Sequence, residues 1–254
     1  MRATLPALRC ALRRRLLHSH TLACTSSAAP AGFVSKSVID LTNPATLEYL
    51  RTNTREHPAL RACRDATASL SGSQMQTPPE QGALLALLCE LLGAKCVLEV
   101  GTYTGYSAAA MALSLPPGGS LVTCDINAET MAVARRTFEA AGVDRVVQPR
   151  LGPALDTLDQ LLAAGQAGQF DLAYIDADKR GYSAYFERCL RLVRVGGLLC
   201  VDNTLWYGKV ADAAVGDKQT VALREFNTAV LRDERVTHAM LPIGDGLTLL
   251  RRRV

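Results

Sequence analysis

The feature that most constrains this chain is an alternation of short apolar runs, each of strand length, with segments of helical period. The runs are Cys96–Val100, Ser120–Asp125, Val146–Leu151, Phe170–Ile175, Gly197–Val201, Thr237–Leu241 and Leu247–Arg251. Helical segments lie between most of them, at Ser107–Leu115, Ala128–Ala141, Pro153–Ala164, Gly181–Leu192 and Lys218–Arg232. A strand that is apolar throughout has both faces covered, and helical crossovers make such a sheet mainly parallel. The expected fold is therefore α/β, Rossmann-like and seven-stranded. Pro242–Gly246 is a hairpin-like connection, so the last two strands should run antiparallel.

Ahead of the first strand, Asn43–Arg64 reads as one or two helices punctuated at His57-Pro58, followed by a polar loop over Ser69–Pro79. Thr77-Pro78-Pro79-Glu80 has the pattern of a helix start with Thr77 as cap, and that helix should run to Leu92 and stop at Gly93. The apolar stretch Gly82–Val100 is interrupted by Glu90 and Lys95. It falls short of the ~18–20 uninterrupted apolar residues of a membrane span. A chain of 254 residues accommodates one large α/β domain and a short extension.

The extension is the N-terminus. Six of the 28 Lys and Arg residues lie before Asp40, where no Asp or Glu occurs, leaving 22 basic against 24 acidic residues in the remainder. The basic balance thus resides in the leader and is no sign of nucleic-acid binding. Residues 1–38 are rich in Arg, Ala, Ser, Thr and Leu, as transit peptides are. A helix over Leu5–His18 would put Leu5, Leu8, Leu12 and Leu16 on one face. Arg13, Arg14 and Arg15 break the apolar core that a secretory signal needs. The expected division is a transit peptide at 1–38 and a catalytic domain at 39–254. Mitochondrion is the first expectation and plastid the second; a plain disordered N-terminus would leave the protein in the cytoplasm. The eight cysteines form no CxxC pair, and Cys89, Cys96, Cys124 and Cys200 sit among apolar residues, as in a reduced core.

In a doubly wound sheet, ligands bind beyond the carboxyl ends of the strands. Val97–Val100 leads into Gly101-Thr102-Tyr103-Thr104-Gly105, whose two glycines allow a tight turn and a close backbone approach to a ligand. The spacing is G-x-x-x-G, not the G-x-G-x-x-G of dinucleotide sites. Glu99 beside this loop would repel a pyrophosphate and attract the cationic methionine end of S-adenosylmethionine. Asp125 closes the second strand, where a carboxylate can accept from both ribose hydroxyls; alone, it could equally cap the next helix.

The fourth and fifth strands end in Asp176-Ala177-Asp178-Lys179 and Asp202-Asn203. Two carboxylates and an amide oxygen form a hard donor set suited to Mg²⁺ or Mn²⁺. A single strand-end Asp is ordinarily a cap or turn residue. Two such clusters on neighbouring strands point instead to a shared ligand.

The run Leu98–Ser107, the Asp176–Lys179 cluster, Val201-Asp202-Asn203-Thr204-Leu205-Trp206 and Leu241–Gly246 together resemble the cation-dependent O-methyltransferases typified by caffeoyl-CoA O-methyltransferase. The likeness covers about residues 45–251 and keeps its motifs in order. Arg55-Glu56-His57-Pro58-Ala59-Leu60 is similar to an animal branch of that family, the catechol O-methyltransferase domain-containing proteins. The resemblance implies the S-adenosylmethionine-dependent methyltransferase fold and a metal held by Asp176, Asp202 and Asn203, whether Mg²⁺ or another divalent cation such as Mn²⁺ or Ca²⁺. It implies a cofactor site made by Thr77, Glu99, Gly101, Thr102, Ser107, Asp125, Ala154 and Asp178. Lys179 would be the base, or else the partner of a neighbouring Asp, and Trp206 and Tyr207 would touch the substrate. The acceptor would be a catechol-like phenol or other vicinal diol, and the protein a homodimer.

Tyr207 stands where the plant phenylpropanoid enzymes carry a polar amide residue, which turns the expectation from caffeoyl-CoA toward a free catechol or flavonoid. Two alternatives compete. A nicotinamide-dependent oxidoreductase is disfavoured by the glycine spacing and by the lack of a Tyr-x-x-x-Lys pair at the active edge. A non-catalytic protein retaining the fold would have lost its metal-ligand residues, and all three are present. Outside the leader the only histidines are His57 and His238, in neither site motif, so a Ser-His-Asp hydrolase is also disfavoured.

Overall fold

All seven apolar runs pair into one sheet of order β3-β2-β1-β4-β5-β7-β6 in a computed structural model that describes residues 43–254. The leader, its Leu5–His18 segment and the boundary at residue 38 lie outside the described residues. The strands are β1 Cys96–Val100, β2 Ser120–Asp125, β3 Val147–Leu151, β4 Phe170–Ile175, β5 Val193–Val201, β6 Val236–Leu241 and β7 Leu247–Arg252. β1 to β5 are mutually parallel, while β7 runs antiparallel to both β5 and β6. The antiparallel final pair therefore forms as expected, and β7 inserts between β5 and β6. β5 starts at Val193, earlier than the expected Gly197. Gly196 bends the strand at φ +81° without ending it, and its register with β4 slips between Phe170 and Leu172.

Helices cover both faces. α1 Pro44–Thr52 and α2 Pro58–Thr67 come first, each with proline at its first position. His57 caps α2 by accepting the Ala59 N–H at its Nδ1 (3.2 Å), so the His57-Pro58 step begins a helix. Then come α3 Pro79–Leu92, α4 Tyr106–Leu113, α5 Ala128–Ala141, α6 Ala154–Ala163, α7 Tyr182–Leu192 and α8 Lys218–Arg232. Thr77 does not cap α3, contrary to expectation. A residue before proline is excluded from helical backbone, so Pro78 stays extended (φ −70°, ψ 155°) and takes the cap position itself. At the other end, Gly93 turns left-handed and Ala94 N–H returns to Cys89 O (2.9 Å), which stops α3 where expected.

Alternation along β1 divides the core. Leu98 and Val100 pack with Leu158 of α6, Phe186 of α7 and Phe226 of α8, while Val97 packs with Leu85 of α3, Met111 of α4 and Phe138 of α5. Phe226 meets the rings of Tyr182 and Phe186 edge-on at 5.8 and 5.9 Å, fastening α8 to α7. All six cysteines among the described residues are free, and all except the half-buried Cys96 are buried. No helix among the described residues is long and apolar enough to cross a membrane.

Candidate active site

Sheet register builds the site. Val100 is level with Cys124 of β2 and Ile175 of β4, and Ile175 is level with Val201 of β5. The residues that follow, Gly101, Asp125, Asp176 and Asp202, therefore leave four strands at one edge. Connections from β1 lead one way across the sheet and those from β4 the other, so a crevice opens between them at this edge. It is a cavity of about 640 Å³.

The glycine loop forms one wall. Gly101 has φ +100°, and a Cβ there would stand 1.9 Å from Asp176 O, so only glycine fits. Asp125 Oδ2 accepts the N–H groups of Thr102 (3.0 Å) and Tyr103 (2.8 Å), while Oδ1 accepts that of Asn127 (2.9 Å). Asn127, not Asp125, caps α5, by accepting from Glu129 and Thr130. The helix-cap alternative for Asp125 is thereby removed. Its carboxylate braces the loop and lines the cavity.

Glu99 lies one layer deeper. Fully buried, it is absent from the lining, and its oxygens accept hydroxyl bonds from Ser107 and Thr123, each 2.6 Å long. Thr123 also meets the Thr102 hydroxyl at 2.5 Å. Burial pushes the Glu99 carboxyl up to about 8 against the pull of these hydroxyls. Thr102 and Ser107, rather than Glu99, present themselves to the cavity.

Across the crevice, Lys179 Nζ donates to Asp176 Oδ1 (3.0 Å), Asn203 Oδ1 (2.5 Å) and the Tyr182 hydroxyl (2.8 Å). Lys179 is thus ion-paired with Asp176, and two of the three expected metal-ligand residues aim their oxygens at a single positive charge. Asp202 is fixed from behind: Oδ2 accepts from Tyr174 (2.5 Å) and Gln81 (2.8 Å), and Oδ1 accepts the Asn203 N–H (2.7 Å). Burial, and then the neighbouring Asp176, push Asp202 up to about 7. Two carboxylates thus lie near one ammonium, which is hydrogen-bonded to Asp176 and not to Asp202. Among the described residues no three His, Cys, Asp or Glu side chains cluster as metal ligands, so a cation here would rest on two carboxylates and an amide. That hard oxygen set fits Mg²⁺, Mn²⁺ or Ca²⁺.

Asp178 caps the 3₁₀ turn Lys179–Gly181 by accepting the Gly181 N–H and is held by the Tyr185 hydroxyl. Thr77, Ala154, Asp178, Trp206 and Tyr207 all line the cavity, with Trp206 and Tyr207 at its outer lip. Of the expected site residues, only Glu99 and Asp202 are absent from the lining. Sequence reasoning missed Gln81 and Tyr174, both fully buried, which hold Asp202; Thr77 Oγ1 lies 3.4 Å from the same Tyr174 hydroxyl. The one available signal was a tyrosine two residues before Asp176 in the buried end of β4.

The sheet order, the glycine loop and the acid closing β2 define a methyltransferase of the S-adenosylmethionine-dependent fold. More particularly, the chain belongs to the O-methyltransferase family, whose model matches residues 50–253. It is 46% identical over 207 residues to catechol O-methyltransferase domain-containing protein 1 of Mus musculus, covering 82% of this chain and 79% of that protein. It is 43% identical over 205 residues to caffeoyl-CoA O-methyltransferase 2 of Zea mays, with 78% of each covered. Among solved structures, the O-methyltransferase TomG from Streptomyces achromogenes, in complex with SAM, superposes with a TM-score of 0.77 at 31% identity, over 83% of this chain and 96% of that one. An O-methyltransferase from Bacillus cereus in complex with SAH gives 0.75 at 30% identity, over 82% and 97%.

Proposed function

We propose that this protein transfers a methyl group from S-adenosylmethionine to a hydroxyl of a catechol-like or other vicinal-diol small molecule, with a divalent cation bound. The observation that carries the reading is the placement of two chemically distinct walls on one cavity. Gly101, Thr102, Ser107 and Asp125 offer close backbone, hydroxyls and a carboxylate to a nucleoside with a cationic tail. Asp176 and Asn203 offer hard oxygens opposite, with Asp202 held just behind them.

In this reading Asp125 accepts from the ribose hydroxyls with the lone pairs its loop bonds leave free. Ser107 and Thr102 meet the methionine end, backed by hydrogen bonds that run from Ser107, and from Thr102 through Thr123, to Glu99. Thr77, Ala154 and Asp178 complete the cofactor wall. Asp176, Asp202 and Asn203 hold the cation, which supplies a charge that lowers the pKa of a chelated hydroxyl and fixes its position. Lys179 Nζ stands beside that position. It is the group proposed to take the acceptor proton. Trp206 and Tyr207 flank the acceptor ring. Holding both reactants in one orientation then supplies most of the acceleration. The protein is proposed to act as a homodimer in an organelle, first the mitochondrion.

The test is a methyl-transfer assay over a panel of diols, with Mg²⁺ or with chelator. Activity should require the cation, and Asp202→Ala should lose at least about a hundredfold, as loss of a charged group fixing the reactants does. Full activity in chelator, or in that variant, would remove the cation from the mechanism. Calorimetry with NAD and S-adenosylmethionine decides the oxidoreductase alternative, which requires tight binding of NAD alone.

A further inference from the structure

Four non-glycine residues among those described have positive φ, and all four line the cavity. Tyr103 lies on the glycine loop. The other three, Asn203 (φ +53°), Trp206 (+48°) and Tyr207 (+54°), fall within one five-residue stretch after β5. Left-handed backbone is unfavourable for such side chains and persists only where surrounding bonds enforce it. For Trp206 and Tyr207 the enforcing bonds come from the β6–β7 connection. Asp245 O accepts the N–H groups of Leu205 (3.0 Å) and Trp206 (3.3 Å), Asp245 Oδ1 accepts that of Tyr207 (2.5 Å), and Gly246 O accepts that of Thr204 (2.9 Å). The two segments lie flush: a Cβ on Gly246 would stand 2.5 Å from Leu205 N. Asp245 is half-buried and absent from the cavity lining, so it touches the site only through the segment it holds.

We propose that Asp245 is a positioning residue for the acceptor: its carboxylate and carbonyl clasp residues 205–207 and hold Trp206 and Tyr207 in the left-handed form that aims them across the acceptor position. Asp245 Oδ2 and Trp206 Nε1 are both buried without a protein partner, so neither atom adds a direct bond that would fix the indole by itself. The main-chain bonds are what orient it. Releasing the Tyr207 N–H frees the lip of the cavity while leaving the Gly101–Gly105 wall and Asp125 untouched. The kinetic part of this inference rests on the methyltransferase reading; the conformational part does not.

Trp206 is the single tryptophan of the sequence, so its emission reports the clasp directly. Asp245→Ala should shift the emission maximum and increase acrylamide quenching. It should also raise the KM for a diol acceptor by about tenfold or more, while the Kd for S-adenosylmethionine stays within about twofold. Asp245→Asn retains an oxygen able to accept the Tyr207 N–H and should restore both the emission and the acceptor KM. An Asp245→Ala protein with lowered melting temperature but wild-type emission and acceptor KM would reduce Asp245 to a stability role and overturn the proposal. Failure of the asparagine variant to restore a changed emission would overturn it too, by showing that charge rather than the hydrogen bond matters. If wild type methylates no diol, the functional reading fails, and emission from the two variants still decides the clasp.

Discussion

Glu99 carries no cation within the protein to balance it. Its two oxygens are satisfied by hydroxyls alone, and burial dominates, pushing the carboxyl from the ordinary 4.5 up to about 8. Between those values the folded chain keeps a proton that the unfolded chain releases. The associated stability is complete below about pH 4.5 and is lost as pH rises toward 8. Urea unfolding at pH 5.5, 6.5 and 7.5 should therefore show wild type losing stability relative to Glu99→Gln, by at most about 1.4 kcal/mol per pH unit. Parallel profiles for the two proteins would mean that Glu99 is ionised throughout. At this scale the sequence disclosed position better than contact. Asp125, Asp176 and Asp202 were legible because each ends an apolar strand, and strand ends gather at one edge. That Glu99 lies beneath the wall, and that Gln81 and Tyr174 hold Asp202, depends on side chains from α3 and β4 meeting across the sheet, which no local pattern encodes.

Among the turns, two glycines with positive φ make a controlled comparison. Gly101 joins β1 to the loop before α4, and its Cβ would collide with main-chain oxygen of Asp176. Gly142 ends α5 at φ +69° with nothing within 4 Å of its Cβ. Gly142→Ala should cost about 1 kcal/mol, the backbone preference alone. Gly101→Ala adds the clash and should cost about 3 kcal/mol or more, with loss of S-adenosylmethionine binding. Chemical denaturation and calorimetry check both, and equal costs for the two would show that the loop can move away from β4. The elements themselves were almost fully readable. Strands covered on both faces leave continuous apolar runs, and every helix boundary in the α/β portion falls close to its expected place. The exceptions are instructive: Gly196-Gly197 looks like a strand break and is a bend inside β5, and Thr77 looks like a cap until the double proline is considered.

For the molecule as a whole, the unequal charge between residues 1–38 and the remainder is what motivates the proposed organellar destination. A fusion of residues 1–38 to a fluorescent protein should enter mitochondria, and removal of Arg13, Arg14 and Arg15 from it should leave it in the cytoplasm. A fusion that stays cytoplasmic with all its arginines would refute the targeting role. The cavity shows a further division. The wall proposed for the cofactor comes mainly from the first half of the sheet, and the lip proposed for the acceptor from the segment after β5, tied by hydrogen bonds to the turn before β7. Some forty residues of chain separate that lip from the turn fastened to it, yet four main-chain N–H groups of the one are bonded to the other. Diversification of acceptor preference on this scaffold is consequently a matter of joint inheritance. A lip borrowed from a relative arrives unsupported unless the turn travels with it, whereas the opposite wall can be left as it stands.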